Sequence, residues 1–398
     1  MARNARGDLM IDIERQQQHT GIVHRLFQVL SYLVVFMAGI LFGLLSSSGS
    51  FNQHFMSRAE LFLSADHAGP RGVAPVGGCT IVEAEDCMSM GRFLSPKKVT
   101  HTMSDEELLW RGSMVPRKKE YPYKRVPKVA FLFLTRGPLP LLPLWERFFH
   151  GQRKDLYNIY IHAPPRYQLN VSRDSMFFGR EIPSQDVEWG TVRLTDAERR
   201  LLSNALLDHS NERFVLLSES CIPVYNFPTV YEYLTSSDHS FVNIYDDPSG
   251  DGRGRYSPHM QPRITLEQWR KGSQWFEMDR DLAARIVGDT EYYDLFRKYC
   301  KPACYPDEHY IPTYLHIFHG TKSANRSLTY VDWSHGGPHP ARFEAEMVTE
   351  KFVRSIRDNG TLCSYNSGVT SLCYLFARKF APNALEPLLN LSSSLMEF

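Results

Sequence analysis

Charge of one sign is what this chain lacks most plainly. Its 398 residues carry 45 basic and 44 acidic side chains, a net charge of +1. A general nucleic-acid binder needs a basic excess to neutralise phosphates, so that class is set aside. No GxGxxG and no GxxxxGK[ST] loop occurs, so neither a dinucleotide nor a P-loop site is supported. No internal repeat is present, which argues against a solenoid or propeller. Cysteine is absent from the first 78 residues. Outside one segment near the N-terminus, no run approaches the 18 or so apolar residues that a membrane span requires.

That segment is Leu26 to Leu45, LFQVLSYLVVFMAGILFGLL, with 20 residues and neither charge nor proline. At about 1.5 Å per residue it covers a hydrocarbon core of about 30 Å. A cleaved signal peptide would have a shorter apolar core and a small-x-small cleavage site. Here the run is longer and 25 residues precede it, so an uncleaved anchor is expected. Arg3, Arg6, Arg15 and Arg25 lie before the span, whereas Arg58 is the only Lys or Arg between it and Arg71. The positive-inside rule then puts residues 1–25 in the cytoplasm and 46–398 in a lumen, as a single-pass type II protein.

Two features suit a lumenal side. Four sequons occur, at Asn170, Asn325, Asn359 and Asn390. All seven cysteines follow the span, with close pairs Cys79/Cys87, Cys300/Cys304 and Cys363/Cys373 as disulfide candidates. An odd count leaves one thiol over, and Cys221, after a buried-looking strand, is the choice for it. Connectivity stays open at this point. No further Cys or His pair completes a zinc site with Cys300 and Cys304.

Residues 46–126 read as a stem, rich in Ser, Gly, Ala and Pro at first and basic near its end (Arg117, Lys118, Lys119, Lys124, Arg125). The remainder, 127–398, reads as the catalytic domain. VAFLFL at Val129 to Leu134 is a strand buried on both faces, followed by helical spacing over Leu141 to Phe149. LYNIYIH (Leu156 to His162), FVLLS (Phe214 to Ser218) and Phe241 to Tyr245 are further strands. Thr195-x-x-Glu198 has the form of a capping box opening a helix that runs to about Asp208. The alternation predicts an α/β fold, with a mostly parallel sheet and helices on both faces. Ligands then sit at the carboxyl ends of the strands, near Thr135-Arg136-Gly137, His162-Ala163, Ser218-Glu219 and Tyr245-Asp246.

Four stretches stand out chemically, each with an ordinary structural alternative. The loop Tyr245 to Tyr256 combines acidic residues, glycines and the arginines Arg253 and Arg255; it also suits a solvated turn. Trp269 to Phe276 places two indoles around a polar turn, suited to sugar faces or to one buried Trp. In Tyr305-Pro-Asp-Glu-His-Tyr310, Asp307 could cap a helix from Glu308 through Leu315. Glu308 then serves as a general base or simply complements the helix dipole. In Phe376-Ala-Arg-Lys-Phe380, Arg378 and Lys379 could neutralise a diphosphate or hold structure. An Asp-x-Asp metal signature is missing after the second strand, which ends Tyr160-Ile-His-Ala163. A metal-independent reaction with no cofactor is therefore expected, with fixed cations at the leaving group.

Taken together, VAFLFLTRG (from Val129), YNIYIHA (Tyr157), RRLLSNALLD (Arg199), FVLLSESCIPV (Phe214), GRGRY (Gly252), WRKGSQWFEM (Trp269), CYPDEHYIPT (Cys304), LTYVDWS (Leu328) and LFARKF (Leu375) resemble the plant branch of the core-2/I-branching β-1,6-N-acetylglucosaminyltransferase family. The resemblance implies a type II Golgi membrane protein with a GT-A-like, Rossmann-type fold. It implies inverting, metal-independent transfer from a UDP-sugar to a glycan acceptor. Glu308 becomes the general base. Lys379, with Arg378, meets the diphosphate, and Thr135, Arg136 and His162 border the donor. Gly272, Ser273, Gln274, Trp275, Trp333, Glu219, Arg253 and Arg255 border the acceptor. Cys363 and Cys373 match the family's carboxy-terminal cysteine pair. The chain also departs from animal members. An acid after the second strand is replaced by Ala163, and one cation has only approximate counterparts in Arg354 and Arg357. The donor sugar is therefore open between N-acetylglucosamine, glucuronic acid and others. A lumenal glycan-binding or scaffolding protein that lost catalysis is the alternative; a hydrolase using Glu219 and Glu308 is a third reading. A homo-oligomer is compatible with either of the first two.

Overall fold

Ser104 starts α1 (Asp105–Gly112) with a reciprocal cap: its hydroxyl accepts the Glu107 N–H at 3.2 Å while the Glu107 carboxylate takes the Ser104 N–H at 2.7 Å. The computed structural model describes residues 94, 96, 98–114, 124–301, 304–358 and 360–398, all within one compact unit, Cys79–Phe398. The expected span 26–45, most of the expected stem, Cys79, Cys87 and Asn359 lie outside the described residues. Among the described residues no helix is long and apolar enough to cross a membrane.

After α1 come β1 (Lys128–Leu134), α2 (Leu142–Phe149), β2 (Tyr157–His162), α3 (Val192–Leu206), β3 (Asn211–Ser218), β4 (Ile222–Pro223) and α4 (Phe227–Thr235). Then follow β5 (Glu277–Asp279), α5 (Arg280–Gly288), α6 (Glu291–Tyr299), α7 (Pro306–Phe318) and β6 (Thr329–Val331). The chain closes with α8 (Glu350–Arg357), β7 (Cys363–Tyr365), β8 (Gly368–Thr370), β9 (Phe376–Arg378) and α9 (Leu385–Leu391).

The main sheet has the order β2-β1-β3-β5. β1 runs parallel to both neighbours, with Leu132 opposite Tyr160 and Leu216. All seven β1 residues are buried, as a strand without a polar apolar-facing alternation requires. Phe131 and Phe133 share one face. The Phe131 ring meets Phe149 of α2 at 5.0 Å and Phe227 of α4 at 6.4 Å. On the other face α3 packs across β1, β2 and β3, and α5 packs on β3. This is the expected α/β arrangement with helices on both faces. A smaller sheet, β4-β9-β6, puts β9 at its centre, and β7 pairs with β8.

Three local expectations are corrected. Thr191, not Thr195, caps α3, accepting the Arg193 N–H at 3.3 Å. The helix begins a turn early, which turns Thr195 and Glu198 into the interior. Phe241 to Tyr245 makes only isolated bridges, because the Ser323 hydroxyl engages both the N–H and the C=O of Val242 and Asn325 takes the Ile244 N–H. The fourth strand of the main sheet is instead β5, antiparallel to β3 and pinned to it by the buried Arg213–Glu277 pair at 2.7 Å. Finally, Tyr305 rather than Asp307 caps α7, with φ of 54°. Asp307 lies inside the first turn, and the helix continues to Phe318.

The segment read as stem is partly built into this unit. Leu108 of α1 is buried, and a Cβ on Gly112 would lie 3.1 Å from the Ser203 Cα of α3. The Asp105 carboxylate grips the Arg200 guanidinium with two bonds, of 2.8 and 2.6 Å.

Candidate active site

The carboxyl ends of β1 and β2, the start of α7 and the end of β9 border one cleft of about 1640 Å³. Pro306 at the first position of α7 has no N–H to satisfy, so the helix can start abruptly at this rim. Its first turn delivers Asp307 and Glu308 to the cleft. The Gly272 N–H donates to the Glu308 carbonyl at 2.9 Å, clamping the Gly272–Trp275 segment against α7. A Cβ at Gly272 would sit 2.2 Å from the Asn243 carbonyl oxygen, so only glycine fits. The Glu308 side chain is partly open to the cleft and accepts from Arg255 Nη1 at 2.9 Å. Arg255 also donates to Asp251 at 3.0 Å and lies 4.1 Å above the Tyr305 ring.

Behind Glu308 are two buried carboxyl groups. Asp307 has an oxygen without a hydrogen-bond partner; burial, then the Glu308 charge, pushes its pKa up to about 7. Glu198 accepts from Gln274 Nε2 at 2.8 Å through one oxygen, and the other is unpartnered. Burial, then Asp307, raises its pKa well above the usual carboxylate range. Burial in low dielectric disfavours the ionised form, so both groups favour their protons.

Cations collect at the end of β9. Burial, followed by Arg378 and Arg136, holds the Lys379 ammonium below its ordinary pKa, while Glu219 opposes that shift. The Arg378 guanidinium lies 4.1 Å over the Trp275 ring, and its Nε has no partner. Crowded cations short of counter-ions are what an anionic ligand would relieve. At the end of β2, burial and then Arg200 bring the His162 pKa down to about 3, so its ring is neutral and meets Arg200 Nη1 at 3.0 Å. Thr135 bonds within its own loop, to the Gly137 N–H at 3.4 Å.

The cleft thus gathers Glu308; Thr135, Arg136, His162, Arg378 and Lys379; and Glu219, Gly272, Ser273, Gln274, Trp275, Trp333 and Arg255. Arg253 is the exception among the expected site residues. It pairs with Asp246 through bonds of 2.8 and 2.6 Å, away from the cleft lining. Arg354 and Arg357 do not line it either: the first pairs with Glu350 and the second lies 4.2 Å over Tyr225. Trp269 is core, stacked on His309 at 4.6 Å and Phe296 at 5.3 Å. Asp246 and Asp247 are engaged by Arg253 and Lys271. Among the described residues no group of three or more His, Cys, Asp and Glu could hold a metal ion.

Sequence reading took Glu198 for a helix cap, gave Tyr305 no role of its own, and missed Trp189 and the Asp105–Arg200 pair. Only the acidic Asp307-Glu308 couplet and the Trp189-Gly190 step carried a local signal. Cysteines 300 and 304 are bonded, as are 363 and 373, and Cys221 is free and buried as expected. Asn170, Asn325 and Asn390 are exposed.

Comparison with known proteins settles the family. The family description "Core-2/I-Branching enzyme" matches residues 129–357. The chain belongs to the core-2/I-branching enzyme family of glycosyltransferases. It is also 36% identical over 310 residues to Glycosyltransferase BC10 of Oryza sativa subsp. japonica, covering 67% of this chain and 76% of that protein. For a member of this family the match holds Glu308 and Trp333, while Arg378 and Lys379 lie beyond it.

Proposed function

We propose that this family member transfers a sugar, N-acetylglucosamine or a relative of it, from a UDP-sugar to a hydroxyl of a glycan acceptor, with inversion and without a metal. In this reading Glu308 removes the acceptor proton as the hydroxyl oxygen forms its bond to the anomeric carbon. The bond from that carbon to the phosphate oxygen breaks, and its electron pair leaves with UDP. Arg378 and Lys379, aided by Arg136, receive the developing charge as fixed, preorganised cations. Arg255 and the Gly272 N–H fix the rotamer and helix position of the base. The observation that carries the proposal is the presence of Glu308 and this cation group in one cleft. The engaged state of Asp246 and Asp247 supports a reaction in which cations, not a metal, meet the diphosphate. We further place the protein in the Golgi membrane, anchored by residues 26–45 with the catalytic unit in the lumen. The apolar run and its flanking arginines support that placement.

The test is turnover of a panel of UDP-sugars by the full chain in detergent, with and without EDTA, beside Glu308→Gln. Turnover that survives EDTA and disappears in the variant is expected. UDP binding without turnover on any donor and acceptor favours the inactive, glycan-binding alternative. Failure to bind UDP at all contradicts both the donor and the mechanism.

A further inference from the structure

Glu198 and Asp307 stand behind the base without entering any step of the transfer. Glu198, on α3, is fully buried, and Asp307, in the first turn of α7, is 6% exposed. Each has one oxygen that meets no donor, Glu198 Oε2 and Asp307 Oδ1. A buried polar atom left unpaired is costly, and a buried unpaired charge more so. α3 packs against α7, close enough for the Asp307 charge to act on Glu198. A second tie runs through the segment that borders the cleft. Glu198 Oε1 accepts from Gln274 Nε2 at 2.8 Å, and two residues earlier the Gly272 N–H donates to the Glu308 carbonyl at 2.9 Å. Residues 272–274 thus join Glu198 to the backbone of the base. With Oε1 engaged by Gln274, Oε2 is the oxygen that remains for Asp307.

We propose that Glu198 and Asp307 are a positioning pair for the base: a hydrogen carried on Glu198 Oε2 and donated to Asp307 Oδ1 latches α3 to the first turn of α7 and so holds Glu308 against the acceptor hydroxyl. The task of the pair rests on the glycosyl-transfer reading; the shared hydrogen does not. One hydrogen bond satisfies both orphan oxygens. The hydrogen belongs on Glu198, because Asp307 lies at the start of a helix, where the dipole favours negative charge. Burial agrees: it raises Glu198 well above the usual carboxylate range and Asp307 only to about 7. Glu308 and Arg255 are the charged side chains that act on Asp307. The other charged groups on α3 and on the elements packed against it are engaged elsewhere. Asp196 pairs with Arg297, Arg199 donates to the carbonyls of Val287 and Asp289, and Arg200 is held by Asp105. Arg280 of α5 donates to the Leu206 carbonyl, Asp289 accepts from the Tyr310 hydroxyl, and the His309 ring meets the Arg270 carbonyl.

Two readouts on the full chain in detergent test the pair. The first is difference infrared spectroscopy of the unaltered protein against Glu198→Gln at neutral pH. A protonated carboxyl C=O band is expected in the unaltered protein and should vanish in the variant; no such band overturns the pair. The second is kcat at saturating donor, beside a UDP titration. Glu198→Leu and Asp307→Ala should lower kcat about 10- to 100-fold, the usual result of misplacing a reacting group by about an ångström. Their UDP affinity should be unchanged, which also reports that they fold. Glu198→Gln should keep most of the kcat at neutral pH, because its amide N–H replaces the carboxyl hydrogen and its carbonyl still accepts from Gln274. Glu198 gives up its hydrogen as pH rises and the amide does not, so the ratio of variant to parent kcat should climb on the alkaline side. An undiminished kcat in Glu198→Leu, a Glu198→Gln as impaired as Glu198→Leu, or a ratio flat with pH overturns the proposal. The infrared band and the pH ratio decide it even where an apolar variant does not fold. An unaltered protein that turns over no donor brings down the transfer reading and the task of the pair with it; the infrared band separates that failure from the absence of a shared hydrogen.

Discussion

On the β9 side of the cleft, Lys379 sits with Arg378 and Arg136 and yields some of its basicity to burial and to their charge. On the α7 side, Asp307 and Glu198 are buried with oxygens that no donor meets, and they yield acidity instead. Both arrangements crowd like groups, but they differ in what relieves them. A carboxyl pair is relieved by a proton, which water supplies at no further cost to the site. A cluster with arginine in it cannot shed its charge in any accessible pH range, so it is relieved by anions, of which Glu219 is one. A proton relieves the acidic floor, whereas the cation wall, where Glu219 opposes but does not cancel the lowering of the Lys379 pKa, would be relieved further by an anionic ligand. That contrast connects the residue chemistry to the proposed division of labour: positioning and proton removal on one side, leaving-group charge on the other.

The comparison breaks most readily at Glu308. Glu308→Gln should slow transfer about 10²- to 10⁴-fold, the usual worth of general-base catalysis, and leave the affinity for UDP untouched. Steady-state rates and a UDP titration together check it. Next in size is Lys379→Ala, which should weaken UDP about 10- to 100-fold through loss of a charge-assisted contact. pH sharpens the same point. Because the folded-state pKa of Lys379 lies below its ordinary 10.5, the ammonium is lost early as pH rises. UDP affinity should therefore decline as pH rises, beginning below 10.5, and the decline should be reduced in Lys379→Ala.

Asp105→Ala reaches the cation side from a distance. It removes both bonds to Arg200, which holds His162. Asp105 is itself half exposed, so the stability loss should be modest, about 1–2 kcal/mol by denaturant unfolding. The smallest effect is expected for Glu198→Gln, which mimics the protonated acid. Glu198 and Asp307 both have raised pKa values, so their contribution to stability is full below their unfolded values of 4.5 and 3.8 and is lost as pH rises through the folded ones. Unfolding temperatures measured from pH 4 upward should show the variant gaining on the parent as pH increases. A constant offset would contradict a protonated Glu198.

The central strands were legible because Val129 to Leu134 of β1 and Phe214 to Leu217 of β3 are uninterrupted apolar runs, and β2 is apolar or aromatic at most positions, which suits a sheet covered on both faces. Pro306-Asp307-Glu308 alone left Glu308 open between a general base and a partner of the helix dipole; its expected role came from the family resemblance, and the structure puts it at the cleft. Much of the rest depends on contacts between distant residues. Nothing near Val242 announces that Ser323 will occupy its backbone groups, 81 residues away, and so deny it a strand ladder. Arg253 and Arg255 look equivalent in Gly-Arg-Gly-Arg-Tyr, yet one turns to Asp246 and the other to Glu308. Thr195 and Glu198 had the spacing of a cap, but Thr191 lay one turn earlier and satisfied the helix start first. Asp105 lies 95 residues from Arg200, in a stretch whose composition suggested only a linker.

The central claim is that the two sides of the cleft have separate tasks. Titrating UDP into the full chain, Glu308→Gln and Lys379→Ala by calorimetry, in EDTA throughout, tests it most directly. The account predicts that the unaltered protein and Glu308→Gln bind UDP equally, and that Lys379→Ala binds it at least about tenfold more weakly. Equal binding by all three, or a loss in Glu308→Gln as large as that in Lys379→Ala, would contradict it.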